Sequence, residues 1–542
     1  MTAPPGESVV ASRVRHRLAA TGLFLGVLGL GLGLAFQPML TSGFARIPEN
    51  PGDPRLVEYI LEHTYRGVRG DPAHQSFWSP PFFYPTRGVG AYADLLLGVA
   101  PVYVVGRMLD LSPDASQQLW LVTVVALNFI VAYAFLRRVF EVEPLGAAAG
   151  AYLFAFASPR IAQLGHPQLL PHFFSILVLY GVVRLFRIRT DRSARAQAFG
   201  WTALAVGSFA AQFYTSFYLA WFLGFALLLG LLTAVAVPNW RAAVIELVRA
   251  HAAPLLAATA LGALVLYPGA HAYLETARLR GYRSFAEVRQ MIPPLRTWMY
   301  AGTDSWLFGR AARWSAMHGM TMEHELRLGL GFVTPALAVA GLWRRRMRAE
   351  VAIVSIVGAA LWLLATEYVP DFSVWRAVYE VVPGARAIRA VSRIVLVVLL
   401  PLSLGLALAV SELWRSRWRW AAIPPVVLCG AEQARRIPSY DAEAVHAQVE
   451  AVSARVGADC QAFLYTPIES DEPPWMIHLN AMWAGLERGI PTLNGYTGQT
   501  PPDWDFDPPS LSAPPDSARI QRALDHWVAI HHLDASRICW VR

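Results

Sequence analysis

The sequence predicts an α-helical polytopic membrane protein, and three observations carry that class. The 542-residue chain is 55% hydrophobic and only 15% charged, well below the roughly 25% charged content of soluble globular domains. Uncharged apolar runs of about 18 residues or more recur along it, each long enough to cross a hydrocarbon core of roughly 30 Å as a helix. Every basic residue is arginine, and the arginines gather at the ends of those runs, where charge sets orientation in a membrane. The net charge of +8 therefore reads as topology. With no recognition module beside the charge, nucleic acid is excluded as a partner.

The first run, Leu18 to about Leu40, follows Arg13, Arg15 and Arg17 and lacks a small-residue cleavage site. It reads as an uncleaved signal anchor with a cytoplasmic N-terminus. Later clusters belong on the same side: Arg137 and Arg138; Arg184 to Arg195; Arg241 and Arg249; Arg344 to Arg348; Arg415 to Arg419. Runs at 117–136, 145–159, 171–187, 198–213, 216–236, 252–270, 328–343, 350–366, 391–413 and 419–433 satisfy that rule if each crosses once. A crossing at 92–109 would invert everything after it, so that segment, with Asp94, Gly98 and Pro101, is expected to lie at the membrane surface. The expected total is about 11 transmembrane helices, with the C-terminus outside.

Residues 1–40 then hold the cytoplasmic N-terminus and first helix, 41–116 an external loop with juxtamembrane helices, and 117–433 the transmembrane core with a second external loop at 271–326. Residues 434–542 form an external tail. The tail is richer in Pro, Asp, Glu and Asn, with turn clusters such as Pro501-Pro502-Asp503. Helical patterns near 441–455, 475–487 and 517–531 and strand patterns at 462–465 and 538–541 predict a small α/β domain. Cys429 falls in the last run, whereas Cys460 and Cys539 lie in the tail, where an oxidising compartment permits a bridge. They are expected to pair.

The apolar runs carry no carboxylate away from their edges, which argues against a proton-coupled or sodium-coupled carrier. The acids sit in the outer loops. Asp53 follows Gly52 and precedes Pro54, the pattern of a helix start. Leu56, Tyr59 and Ile60 follow at helical spacing and are expected to lay that helix on the membrane. A carboxylate fixed there can cap the helix or deprotonate an acceptor hydroxyl. The aromatic and proline stretch from Phe77 to Pro85 suits an interfacial belt or the lining of a groove.

Together these features resemble the GT-C superfamily of integral-membrane glycosyltransferases, through one crossing, a long external loop with an early acid, Trp78-Ser79-Pro80-Pro81 with Tyr84-Pro85, a juxtamembrane helix, and a crossing ending in Arg137-Arg138. An uncharacterised bacterial branch is more similar still. Phe154 to Arg160, Gly165-His166-Pro167-Gln168, Pro383 to Arg393 and Asn494-Gly495-Tyr496-Thr497-Gly498 carry that likeness. It implies location in the bacterial inner membrane and inverting transfer of a sugar from a polyprenyl-phosphate donor to an envelope glycan, lipid or protein acceptor. It also implies that Asp53 is the catalytic acid of the first loop. A divalent metal, Mg or Mn, goes with many such enzymes, but no Asp-x-Asp pair accompanies Asp53, so no metal ligand is assigned.

Departing phosphate needs positive charge. Arg389 and Arg393, four apart, are expected to share one helical face as a forked clamp. Arg160, His166, Gln168 and His172 are expected to meet sugar hydroxyls or phosphate. The second loop offers Glu323-His324-Glu325, with Glu323 as a reserve acid. No phosphate-binding glycine loop, nucleophile elbow or zinc-protease helix is present. The rival reading is a non-catalytic flippase or scaffold for lipid-linked saccharide, which a polar path through the bilayer would reveal.

Overall fold

The computed structural model describes residues 5–314, 320, 322–467, 472–507 and 516–542, with side chains of 5–13 and 192 left aside. The apolar runs are helices: α1 (Pro5–Ala35), α2 (Asp53–Val68), α3 (Ala100–Met108), α4 (Pro113–Val139), α5 (Pro144–Phe156), α6 (Phe173–Phe186), α7 (Arg195–Thr215), α8 (Phe217–Ala236), α9 (Pro238–Arg280), α10 (Val333–Arg344), α11 (Ala349–Ala365), α12 (Val395–Arg415) and α13 (Ile423–Gln433). Among the described residues, six segments are long and apolar enough to cross a membrane: Val14–Ala35, Pro113–Val139, Pro167–Phe186, Phe217–Ala236, Pro238–Arg280 and Val391–Arg415. The expected runs at 328–343 and 419–433 yield helices of 12 and 11 residues. At 1.5 Å per residue these reach only about 18 Å, short of a roughly 30 Å core. α3, with nine residues, is shorter again, as a surface segment requires. α9 breaks at His251 (φ −129°, ψ 23°), which separates an initial Trp240-bearing stretch from the expected run at 252–270.

α12 is the axis of the bundle, and its candidate span is almost wholly buried. Small residues let its neighbours approach. A Cβ on Gly150 of α5 would sit 2.6 Å from the Ser403 carbonyl oxygen, and one on Gly341 of α10 would sit 2.0 Å from that of Gly405. Backbones in van der Waals contact substitute for a hydrophobic driving force that lipid does not supply.

The segments outside the bundle interlock. β1 (Arg46–Pro48) pairs antiparallel with Ser439–Asp441 of the tail. Ala462–Tyr465 pairs parallel with Ile538–Val541, and the Cys460–Cys539 disulfide joins the chain beside that pair. Helices Ala442–Ser453, Pro474–Arg488 and Ser517–Ile530 complete the tail. α2 does not lie on the membrane. Leu56, Tyr59 and Ile60 are buried, with Tyr59 edge-on to Trp483 of the tail and to Phe82. The aromatic stretch is likewise internal: Phe83 packs on Trp504 and donates its backbone N–H to the Asn494 carbonyl at 3.0 Å. Protein, not lipid, covers these apolar faces, so the first loop and the tail share one core.

Candidate functional site

Asp53 is the first residue of α2, and Gly52 takes the capping position. The expected capping role therefore falls away. The carboxylate turns outward instead, accepting from the Tyr496 hydroxyl at 2.8 Å on Oδ1 and from Gln168 Nε2 at 3.5 Å on Oδ2. The N-terminal end of α2 lies beneath it. Tyr496 belongs to the tail, so the residue that orients Asp53 comes from the far end of the chain.

His166 stands between two acids. Its Nε2 is 3.7 Å from Asp53 Oδ2 and 3.6 Å from Glu325 Oε1, and its ring stacks on His324. Burial, and after it the Arg393 charge, push the imidazole below its usual value, so it is neutral near pH 7. Arg393 grips Glu325 with a fork, Nη2 to Oε1 at 2.5 Å and Nε to Oε2 at 3.1 Å, and lies over the Tyr218 ring. Burial raises the Glu325 carboxyl, but the adjoining guanidinium outweighs it and holds it down at about 2. Asp53 and Arg393 are thus separated by three short contacts through His166 and Glu325.

Arg389 reaches the same region differently. Residues 388–390 are not helical, and only Val391–Ile394 forms a 3₁₀ turn, so the expected helical face shared by Arg389 and Arg393 does not exist. Tyr218 links them instead, its hydroxyl accepting the Arg389 backbone N–H at 3.0 Å while its ring carries Arg393. The half-exposed Arg389 guanidinium stands 3.7 Å from Glu287 and close enough to Tyr496 to act on it electrostatically. Asp94 closes this side, capping α8 through the Phe217 N–H at 2.7 Å. Burial pushes its carboxyl up to about 6.

Two further expectations need correction. Arg160 and His172 are fully buried and bind inward: Arg160 Nε donates to the Phe154 carbonyl at 2.6 Å, and its Nη2 lies 3.0 Å from His172 Nδ1. They brace the helix ends beneath the cluster and meet no solvent. Glu323 is occupied by Tyr300 at 2.6 Å and Arg327 at 2.8 Å, and Glu325 holds the place assigned to it. Arg327 also meets Asp304, which pairs with Arg435, and Arg435 donates to the Ser158 carbonyl at 2.8 Å. Glu49 faces this network, and burial pushes its carboxyl up to about 7 against the Arg435 and Arg327 charges. Among the described residues no group of three or more His, Cys, Asp or Glu side chains converges as metal ligands. With Glu325 taken by Arg393 and Asp53 by Tyr496, the donor set does not fit a divalent ion.

The apo crystal structure of the Archaeoglobus fulgidus oligosaccharyltransferase matches this architecture with a TM-score of 0.50 at 12% identity, over 88% of this chain and 64% of that one. The chain shares the fold of that solved structure. It spans about 64% of the length of that oligosaccharyltransferase. ArnT from Cupriavidus metallidurans in its apo state is also similar, at 12% identity over 88% of this chain and 90% of that one, with a TM-score of 0.44. No family model and no curated protein matches the sequence. Glu325 and Tyr496 are the cluster residues that sequence reasoning missed, although both lay in stretches it had singled out.

Proposed function

We propose that the protein is a membrane glycosyltransferase. In this reading it moves a sugar from a polyprenyl-phosphate or pyrophosphate donor to a cell-envelope glycan, lipid or protein on the outer face of the inner membrane. A multi-pass topology with a cytoplasmic N-terminus and an external tail goes with it, and arginine placement supports that topology. Asp53 is the general base. It removes the acceptor hydroxyl proton as the acceptor oxygen attacks the anomeric carbon, and the bond from that carbon to the phosphate oxygen breaks with its electron pair on the leaving phosphate. Arg389 and Arg393 offset the charge that grows there. Attack opposite the leaving group inverts the anomeric carbon.

The observation that carries this reading is the convergence of Asp53, His166, Glu325 and Arg393 in successive contacts of 3.7, 3.6 and 2.5 Å. A base and a cation meet at one place, where base-assisted departure of a phosphate needs them. A flippase reading would need a polar path, whereas the large cavity in the bundle is lined almost wholly by apolar side chains. The test is transfer from a lipid-linked radiolabelled sugar by the purified full chain in nanodiscs. Asp53→Asn should lower kcat by about 10² to 10⁴ with little change in donor affinity, and full activity in that variant removes the assignment.

A further inference from the structure

The bundle encloses a cavity of about 580 Å³ that the transfer reaction does not use. One helix face shows its shape. His172, Ser175, Leu179, Val182 and Phe186 line it at alternating steps of three and four, the spacing of a single face along the whole of α6. Leu223, Leu227, Leu231 and Ala234, at steps of four, four and three, share one face of α8. The cavity is therefore a slot parallel to the helices, about 22 Å long from residue 172 to residue 187 at 1.5 Å per residue.

Its two ends differ. At the first end His172, Ser175 and Leu361 are buried, and Arg160 and Phe154 pack on His172. These buried side chains close the slot at the end nearer His166 and Asp53. At the other end Phe186 is 48% and Leu231 52% exposed, and Trp240 from the first stretch of α9 forms the rim. Arg187 lines this mouth, paired with Glu350, also a lining residue, at 2.8 Å, and the exposed Arg241 and Arg348 follow or precede the lining residues Trp240 and Ala349 in sequence. By the arginine rule this end faces the cytoplasm. Water gains too few hydrogen bonds on such walls to fill the slot, whereas a hydrocarbon chain matches them, and a basic pocket between helices on the cytoplasmic side suits an anionic headgroup.

We infer that the cavity is a lipid site separate from the transfer reaction. It takes one acyl chain of an anionic glycerophospholipid from the cytoplasmic leaflet, with the lipid phosphate held among Arg187, Arg241 and Arg348. The site is independent of the sugar-transfer reading and survives its failure.

The test uses the full chain in nanodiscs of phosphatidylcholine with increasing phosphatidylglycerol brominated on its acyl chains. Trp240 at the rim reports the chain by fluorescence quenching, isolated by subtracting the signal of Trp240→Phe. Mass spectrometry of the delipidated protein identifies what is retained. The expected result is saturable quenching by brominated phosphatidylglycerol at low mole fraction, with one phosphatidylglycerol retained per chain. Gly230→Phe should abolish both, because Gly230 lines the slot and a Cβ there already touches Val357 Cγ2 at 3.7 Å and Ile353 Cγ2 at 3.9 Å across it, so a phenyl ring takes the space of the chain. Neutralising Arg187, Arg241 and Arg348 together should erase the preference over phosphatidylcholine, about fivefold per arginine. These are surface changes at the mouth, so they keep the test decisive if Gly230→Phe fails to fold. A retained polyprenyl phosphate in place of a phospholipid overturns the inference. So does quenching that tracks bulk lipid composition, or a triple variant with its preference intact.

Discussion

Replacing Glu325 with Gln removes one charge and almost no volume from the centre of the cluster. Arg393, only 8% exposed at its side chain, then keeps its place without its anion. The folded carboxyl lies at about 2 against an ordinary 4.5, and at 1.36 kcal/mol per unit this depression is worth roughly 3 kcal/mol. Breaking a buried ion pair by removing one partner costs about 3 to 5 kcal/mol, so two independent routes agree. The pH dependence has a definite sign. A depressed carboxyl stabilises the fold above its unfolded value and loses that contribution as pH falls through its folded one. The difference between wild type and Glu325→Gln should therefore be full from about pH 6 upward and shrink by more than half by pH 3. Thermal unfolding of the purified protein in detergent, followed by tryptophan fluorescence, reads it as a drop of roughly 3 to 4 °C at pH 7. Coincident melts at pH 7, or a gap equally wide at pH 3, would refute the claim that Glu325 is the resident counter-ion of Arg393.

Tyr496→Phe deletes the 2.8 Å hydrogen bond to Asp53. A hydrogen bond to a charged group is worth about 1.5 to 3 kcal/mol, so transfer should fall roughly tenfold or more in kcat while the melt drops by only about 1 to 3 °C. Glu49 carries a carboxyl raised by burial to about 7, so its ionised form opposes folding and stability declines as pH climbs from about 4.5 to 7. Glu49→Gln should melt higher than wild type at pH 8, by up to roughly 3 kcal/mol, and no higher at pH 4, as paired melts at the two pH values would reveal.

Much of this was legible because local chemistry decided it. The apolar runs became helices, the tail's strands lie at 462–465 and 538–541 as expected, and the two tail cysteines pair. Asp53 stood out because Gly and Pro frame it. What periodicity does not say is what covers an apolar face. Leu56, Tyr59 and Ile60 fit a membrane surface and a protein interior equally well, and the covering partner, Trp483, lies more than 400 residues away. Nor does sequence distinguish Glu323 from Glu325, two positions apart on one 3₁₀ turn, where a single step decides which acid meets Arg393 and which meets Arg327. The spacing of Arg389 and Arg393 misled for a related reason. It describes a helix only where the backbone is helical, and Ala390, at ψ 82°, is not.

The absence of lysine has a structural counterpart around Asp53. Arg55 donates to Asn480 from buried surroundings, Arg393 spans Glu325 and the Tyr218 ring, Arg435 joins Asp304 to the Ser158 carbonyl, and Arg160 joins the Phe154 carbonyl to His172. Each buried guanidinium uses its planar fork to reach partners on other stretches of the chain, and several hold two such stretches at once, where an ammonium presents a compact point charge. These cross-links surround a cluster assembled from the first loop, the 158–172 turn, the second loop, the approach to α12 and the tail. No single element could hold Asp53, His166 and Arg393 in register. The position of the proposed base relative to the proposed phosphate site therefore depends on those forks, and replacing any one with lysine should loosen the whole arrangement by more than the loss of one hydrogen bond.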